Sequence, residues 1–378
     1  MKKLNTFAFA AALFAAPLMA QDAPAAAPET TASTEATPVE SAAPVAETTK
    51  AATRSVVAVG DMMIGLNYPD GRPLPEQDGA LTFSEVKEVL QDADVTFGNL
   101  EGVLLDKGGN AKACGSSKNC WTFRSPERYI NHFLDAGFDL LSVANNHSSD
   151  FGKPGRENTY NVLKKSGIGF AGFENSCEYT IIEKNGVRYG MAAFSVTKTT
   201  LLIFDEAKAK EVIGKLRDSS DVVIVSMHIG GEGKDYTHVT RKNESFLGAN
   251  RGNPYKFARM AIDAGADLVF GSGPHVPRAV DLYKGKFIAY SLGNFSTATN
   301  FNIAGMNGYA PIVKVIIDEK GDFVEGKLFS NIQKGRDGSR RPYKDTTGAC
   351  IKHIKKLTEE DIPEAEIEVL LDGTIRKK

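Results

Sequence analysis

A formal net charge of −2 over 378 residues, from 45 basic and 47 acidic side chains with no long basic block, argues against nucleic acid as a partner. Beyond its N-terminal region the chain is long for one core but fits a large α/β domain with a short appendage, and no internal repeat is visible.

Residues 1–20, MKKLNTFAFAAALFAAPLMA, place Lys2 and Lys3 before an apolar run and end in small residues at Ala20, the three-part pattern of a secretory signal peptide. A membrane anchor is the competing reading, but the run falls short of the roughly 20 apolar residues that span a bilayer. Cleavage near Ala20 implies an exported protein, periplasmic or extracellular and associated with the cell surface. Residues 21–54 are almost wholly Ala, Pro, Thr, Glu and Ser, too poor in apolar surface to offset the entropy of folding. They are expected to form a disordered tether, followed by a domain over 55–333 and an extension over 334–378.

From Ser55 the chain alternates strand and helix signals. SVVAVG (55–60) is a β-branched strand, TFSEVKEV (82–89) a helix opened by Thr82, and DVTFG (94–98) a strand. SPERYINHFLDAG (125–137) has helical spacing between Ser-Pro and Gly, and feeds the strand LLSVA (140–144). A hairpin over 179–196 turns at Asn185-Gly186. The strand DVVIVSM (221–227), the helix NPYKFARMAIDAGA (253–266) and the strand DLVFG (267–271) follow. The pattern then changes to strands separated by turns, KFIAYSLGNF (286–295) and a hairpin over 311–330. Strand-helix units with added hairpins predict a layered α/β fold rather than a purely parallel sheet.

Cys114 and Cys120 bracket the polar loop CGSSKNC, and in an exported protein a disulfide between them is expected, since zinc would want closer pairs with partner histidines. Cys177 and Cys350 are left either bonded to each other or free.

Unusual polar residues fall at the carboxyl ends of the strands. VVAVG ends in Asp61, VTFG in Asn99 and Glu101, LLSVA in Asn145, Asn146 and His147, VVIVSM in His228, and LVFGSGP in His275. Ligands bind at that edge of open α/β sheets, so residues distant in sequence are expected to converge there. Taken singly, each is equally readable as a turn former or a hydrogen-bonded core histidine. Taken together, Asp, Glu, Asn and neutral His suit a divalent cation such as zinc, manganese or iron, and two adjacent ions would activate a water and hold a phosphoryl oxygen.

The motifs VAVGDMMIG, FGNLEG, SVANNHSSDFG, HIGGE, GSGPHV and YSLGNF resemble, in order, those of the capsule synthesis protein CapA family, also described as poly-γ-glutamate synthesis proteins. That family is similar to calcineurin-like metallophosphoesterases, and the resemblance spans about 55–330. It implies a calcineurin-like layered αββα sandwich of the α/β class with one or two divalent ions. Matched by motif, Asp61, Glu101, Asn146, His228 and His275 resemble metal ligands, and His147 resembles the histidine that protonates the leaving oxygen. Asp150 either orients His147 or caps the following helix, and Glu232 either reaches the site or is a loop carboxylate. Met63 stands where the phosphoesterase pattern D-x-H has its histidine, and Ser272 and Gly273 replace a more histidine-rich turn.

Two functions follow from the resemblance. One is a metal-dependent hydrolase of a phosphoester or related bond in cell-surface material, with metal-bound hydroxide as nucleophile and His147 as general acid. The other is a non-catalytic component that binds or guides an anionic polymer such as poly-γ-glutamate during export, alongside membrane polymer-synthesis proteins.

Overall fold

The computed structural model describes residues 52–115, 120–298, 301–335 and 339–378. The signal-peptide reading and the tether up to residue 51 lie outside the described residues, as does 116–119 of the CGSSKNC loop.

The β-branched run after Arg54 forms the central strand of the first sheet, Arg54–Met62. Alternation gives it two buried faces. Val56 and Ala58 enter the core between the sheets, whereas Val57 and Val59 pack with Phe133, Phe138 and Leu163 on the helical side. Val95–Leu100, Leu140–Ser142 and Gly169–Ala171 continue the sheet in parallel on one side. On the other, Ile312–Ile317 runs antiparallel to residues 54–58, and Asn294–Ala298 takes over in parallel at Asp61. In the second sheet, Val222–His228 lies between Val187–Ser195 and Leu268–Ser272, parallel to both.

The sheets meet face to face, with Phe97 of the first stacked on Phe270 of the second at 5.5 Å between centroids. Helices cover the outer faces: Ile130–Ala136 and Gly152–Ser166 on the first sheet, Glu206–Ser219 and Pro254–Asp263 on the second. This is the αββα layering expected of the sequence. Its consequence for function is directional, because the parallel strands of both sheets release their carboxyl ends beside one another.

Local signals account for most boundaries. Asn253 caps its helix by accepting from the Lys256 N–H at 2.9 Å, with Pro254 in the first turn. The hairpin turns at Asn185 and Gly186, whose φ of 54° and 75° suit a tight two-residue loop. The helix expected over 82–89 is instead a run of turns leading into Lys87–Gln91, because the Thr82 hydroxyl donates to the Gly79 carbonyl and does not cap.

The described part of the 334–378 stretch, set apart by the sequence as an extension, adds to the first sheet. Thr374–Lys377 pairs with Phe323–Phe329, and Ile354, Leu357, Ile367, Val369 and Ile375 enter the inter-sheet core. Cys114 and Cys120 are bonded, and Cys177 and Cys350 are free thiols. Among the described residues no helix is long and apolar enough to cross a membrane.

Candidate metal centre

Asp61 is fixed by a close crossing of backbones. Its N–H donates to the Gly293 carbonyl at 2.8 Å, and a Cβ on Gly60 would lie 1.9 Å from that same oxygen, so only glycine lets the strand pass. Asn99 Nδ2 donates to Asp61 Oδ1 at 2.7 Å. Glu101 follows directly beyond the end of the next strand, fully buried. In the turn after Leu140–Ser142, Asn145 acts as a brace: its Nδ2 donates to the Leu100 carbonyl at 2.8 Å and its Oδ1 accepts from the His147 N–H at 3.1 Å. That brace holds the turn with His147 Nε2 3.7 Å from Glu101 Oε1.

The second sheet supplies the imidazoles of His228 and His275. His228 ends its strand with Nδ1 3.0 Å from Ser272 Oγ, so Ser272 orients the ring. Gly273 then turns at φ +104°, where a Cβ would press on the His228 ring and stand 3.0 Å from the Ile229 nitrogen. His275, itself left-handed at φ 59°, places Nδ1 3.0 Å from both Asp61 Oδ2 and Asn294 Oδ1. Asn294 and Ser272 are supporting residues that strand-end reasoning did not single out.

Several donor atoms in this cluster have no partner. Both Glu101 carboxylate oxygens, Asn146 Oδ1 and His228 Nε2 are buried without a hydrogen bond. Ligand atoms of Asp61, Glu101 and His228 lie within 4.8 Å of one another. A buried polar atom left unpaired costs roughly 1–3 kcal/mol, and more if charged, so this concentration of oxygen and nitrogen donors fits a divalent cation. The remaining approaches are looser: the Nε2 atoms of His147 and His275 lie 3.7 and 3.8 Å from Glu101 Oε1.

Electrostatics agree with a site built for positive charge. Burial and then the Asp61 charge hold the Glu101 carboxyl well above its usual range. Burial pushes His228 down to about 3, keeping its imidazole neutral. Burial also acts to lower His275, but the charges of Glu101 and Asp61 and the Asp61 hydrogen bond prevail and raise it to about 10. Asp61 is lowered despite burial, through the His275 hydrogen bond and the neighbouring imidazoles.

His147 sits in a separate frame. Its Nδ1 is 2.7 Å from Asp150 Oδ2, which also accepts from the Phe123 N–H at 2.6 Å. A carboxylate only accepts, so the ring proton is on Nδ1 and Nε2 faces Glu101. The Phe123 ring stacks on the imidazole at 3.8 Å, and Lys112 Nζ reaches Asp150 Oδ1 at 2.6 Å. Lys112 and Phe123 lie on either side of the Cys114–Cys120 disulfide in sequence, so the bond ties together the two segments that touch Asp150 and His147. Asp150 therefore orients His147. Met63 turns away from the cluster into a small apolar group with Leu66, Phe123 and Ala298. Glu232 Oε1 is 2.8 Å from Arg251 Nη2, an arginine that the sequence reading passed over because it lies in a hairpin and not at a strand end.

As a class, this is a layered α/β protein with a carboxylate, amide and imidazole cluster suited to a divalent metal at its strand ends. The chain belongs to the bacterial capsule synthesis protein PGA_cap family, whose model matches residues 55–299. It is 29% identical over 253 residues to a capsule biosynthesis protein CapA of Bacillus anthracis, covering 64% of this chain and 59% of that one. It is 28% identical to the PGA biosynthesis protein CapA of Bacillus subtilis strain 168, covering 63% and 61%. The chain thus spans about three fifths of the length of these relatives. Among solved structures, the calcineurin-like phosphoesterase YfkN of Bacillus subtilis aligns over 83% of this chain and 99% of that chain at 12% identity, with a TM-score of 0.44. A 5'-nucleotidase precursor of Thermus thermophilus aligns over 82% and 59%, again at 12% identity, with a TM-score of 0.43.

Proposed function

We propose that this chain is an exported, divalent-metal-dependent phosphoesterase-like hydrolase acting on a phosphoester or related bond in cell-surface material. The observation that carries the reading is the set of buried, unpartnered donors of Glu101 and His228 beside Asp61, with the unpartnered Oδ1 of Asn146 in the turn after the neighbouring strand. Asp61, Glu101, Asn146, His228 and His275 would hold one or two ions of manganese, zinc or iron. Such a cation, when bound, supplies Lewis acidity that activates water and polarises a phosphoryl oxygen.

The remaining work belongs to side chains. In its imidazolium form, with a proton on each ring nitrogen, His147 gives the Nε2 proton to the leaving oxygen and becomes neutral, while Asp150 holds Nδ1–H and stabilises the charged form before transfer. Burial prevails over the Asp150 hydrogen bond and charge and lowers the proton affinity of His147, so its acid form is populated increasingly as pH falls. The stacked Phe123 ring fixes the imidazole plane and keeps water from that face.

Relatives named for capsule and PGA biosynthesis support a role in making capsule or a poly-γ-glutamate-type polymer, beside membrane polymer-synthesis proteins, with an anionic polymer or a phosphoester as the substrate. The pattern of residues 1–20 and the Cys114–Cys120 bond support export. Elemental analysis of the purified protein, paired with turnover of generic phosphomonoesters and phosphodiesters, tests the reading. About one equivalent or more of divalent metal with turnover is expected. Metal-loaded protein that turns over neither ester but retains anionic polymer would replace the hydrolase with a polymer-binding component.

A further inference from the structure

Arg251 has no part in the ligand set, yet the fold goes to some length to hold it beside the strand end that carries His228. It lies on the second strand of the hairpin Glu244–Phe246 and Ala249–Gly252. A buried two-pronged ion pair locks the base of that hairpin: Arg278 donates to both Glu244 carboxylate oxygens at 2.9 and 2.8 Å, and Glu244 also accepts from the Gly231 N–H at 2.8 Å. Arg251 is then pinned twice to Gly230, two residues beyond His228. Its carbonyl accepts from the Gly230 N–H at 2.9 Å and its Nε donates to the Gly230 carbonyl at 3.0 Å.

The Arg251 side chain is only 8% exposed, and its one charge partner among the described residues is Glu232, at 2.8 Å from Nη2. Nη2 is buried without a well-aligned hydrogen bond, and no hydrogen bond or ion pair engages Nη1 among the described residues. A planar fork of donors with spare N–H groups, held rigid at the edge of a carboxylate and imidazole cluster, is the geometry that grips an oxyanion. Beneath the dominant effect of burial, Glu232 and Arg251 are both among the charges that act on Glu101, which puts the pair within electrostatic reach of the cluster.

We propose that Arg251 is the oxyanion-binding arm of this site, gripping a phosphoryl oxygen of the substrate after displacing Glu232. This rests on the phosphoester reading above and names the group that the site takes. A single carboxylate would only exchange like for like with Glu232, whereas a doubly charged phosphoryl group outcompetes it. Glu232 is then a resident stand-in that neutralises the arm in the free protein.

Inorganic phosphate is the probe, titrated calorimetrically into manganese-loaded protein. Arg251→Gln should weaken phosphate binding roughly ten- to a hundredfold, and Arg251→Lys less. Glu232→Gln should tighten it several-fold, because the competitor is gone. That gain should vanish when Glu232→Gln is combined with Arg251→Gln, a coupling that a purely structural arginine would not produce. If Arg251→Gln does not fold or hold metal, the same comparison in the Arg251→Lys background decides. Phosphate affinity indifferent to Arg251, a Glu232→Gln gain that persists in the double variant, or Arg251-dependent capture of a γ-glutamyl oligomer with none of phosphate would each overturn the proposal. Ester turnover measured alongside separates the two ideas. Arg251-dependent phosphate binding without turnover leaves this subsite standing and removes the hydrolase, and turnover with Arg251-independent binding does the reverse.

Discussion

Two residues of the second sheet carry the sharpest tests of the donor cluster. His228 is fully buried, with its Nε2 unpaired in the protein alone. His228→Ala should therefore lower bound divalent metal at least about tenfold, measured by elemental analysis after dialysis, since loss of one imidazole removes a ligand outright. Metal content equal to wild type would take His228 out of the ligand set. Gly273 tests the placement of that ring. A methyl there would meet the His228 ring at 3.2 Å in a left-handed backbone that alanine resists. Gly273→Ala is predicted to weaken metal affinity with the ligands all still present, and an unchanged titration would show that the turn does not position the imidazole.

At the scale of elements, the strand ends were legible because a β-branched run followed by a lone Asp, Asn or His is a signal carried within a few residues. Asp61, Glu101, Asn146 and His228 all stand out in that way; the structure brings Asp61, Glu101 and His228 together and buries Asn146 Oδ1 without a partner. What supports them was not legible. Ser272, Asn294, Lys112, Phe123 and Arg251 act through contacts between segments far apart in sequence, and no local pattern marks a serine that will face a histidine 44 residues away. The turn region over 82–86 was misread for a related reason: Thr followed by Glu reads as a helix start, but the Thr82 hydroxyl found the Gly79 carbonyl first. The bond at Cys114 joins the two levels, since the sequence predicts it while the contacts of the flanking Lys112 and Phe123 with Asp150 and His147 appear only in three dimensions. Alkylation of denatured, unreduced protein should label Cys177 and Cys350 and spare Cys114 and Cys120. Label on either of the latter pair would rule the bond out.

Taken whole, the chain from Lys50 to Lys378 is one compact unit, and the C-terminal stretch is part of it. Ile351, Ile354, Leu357, Ile367, Val369 and Ile375 are buried, and each such side chain is worth about 1.5–3 kcal/mol, together comparable to the ~5–15 kcal/mol net stability of a typical domain. Truncation after Asp345 should therefore abolish cooperative thermal unfolding, and a truncated protein melting as wild type does would show the stretch to be dispensable. The two sheets matter to function as a pair: the first supplies carboxylates, amides and His147, and the second supplies His228 and His275. The claim that this convergence is hydrolytic is tested most directly by turnover of an ester with a poor leaving group, compared between wild type and His147→Ala, both loaded with metal. A general acid contributes roughly 10²- to 10⁴-fold and holds no metal here, so the account predicts a loss of that size at unchanged metal content and melting temperature, with an activated ester suffering less. Equal losses on both esters, or none on either, would contradict it.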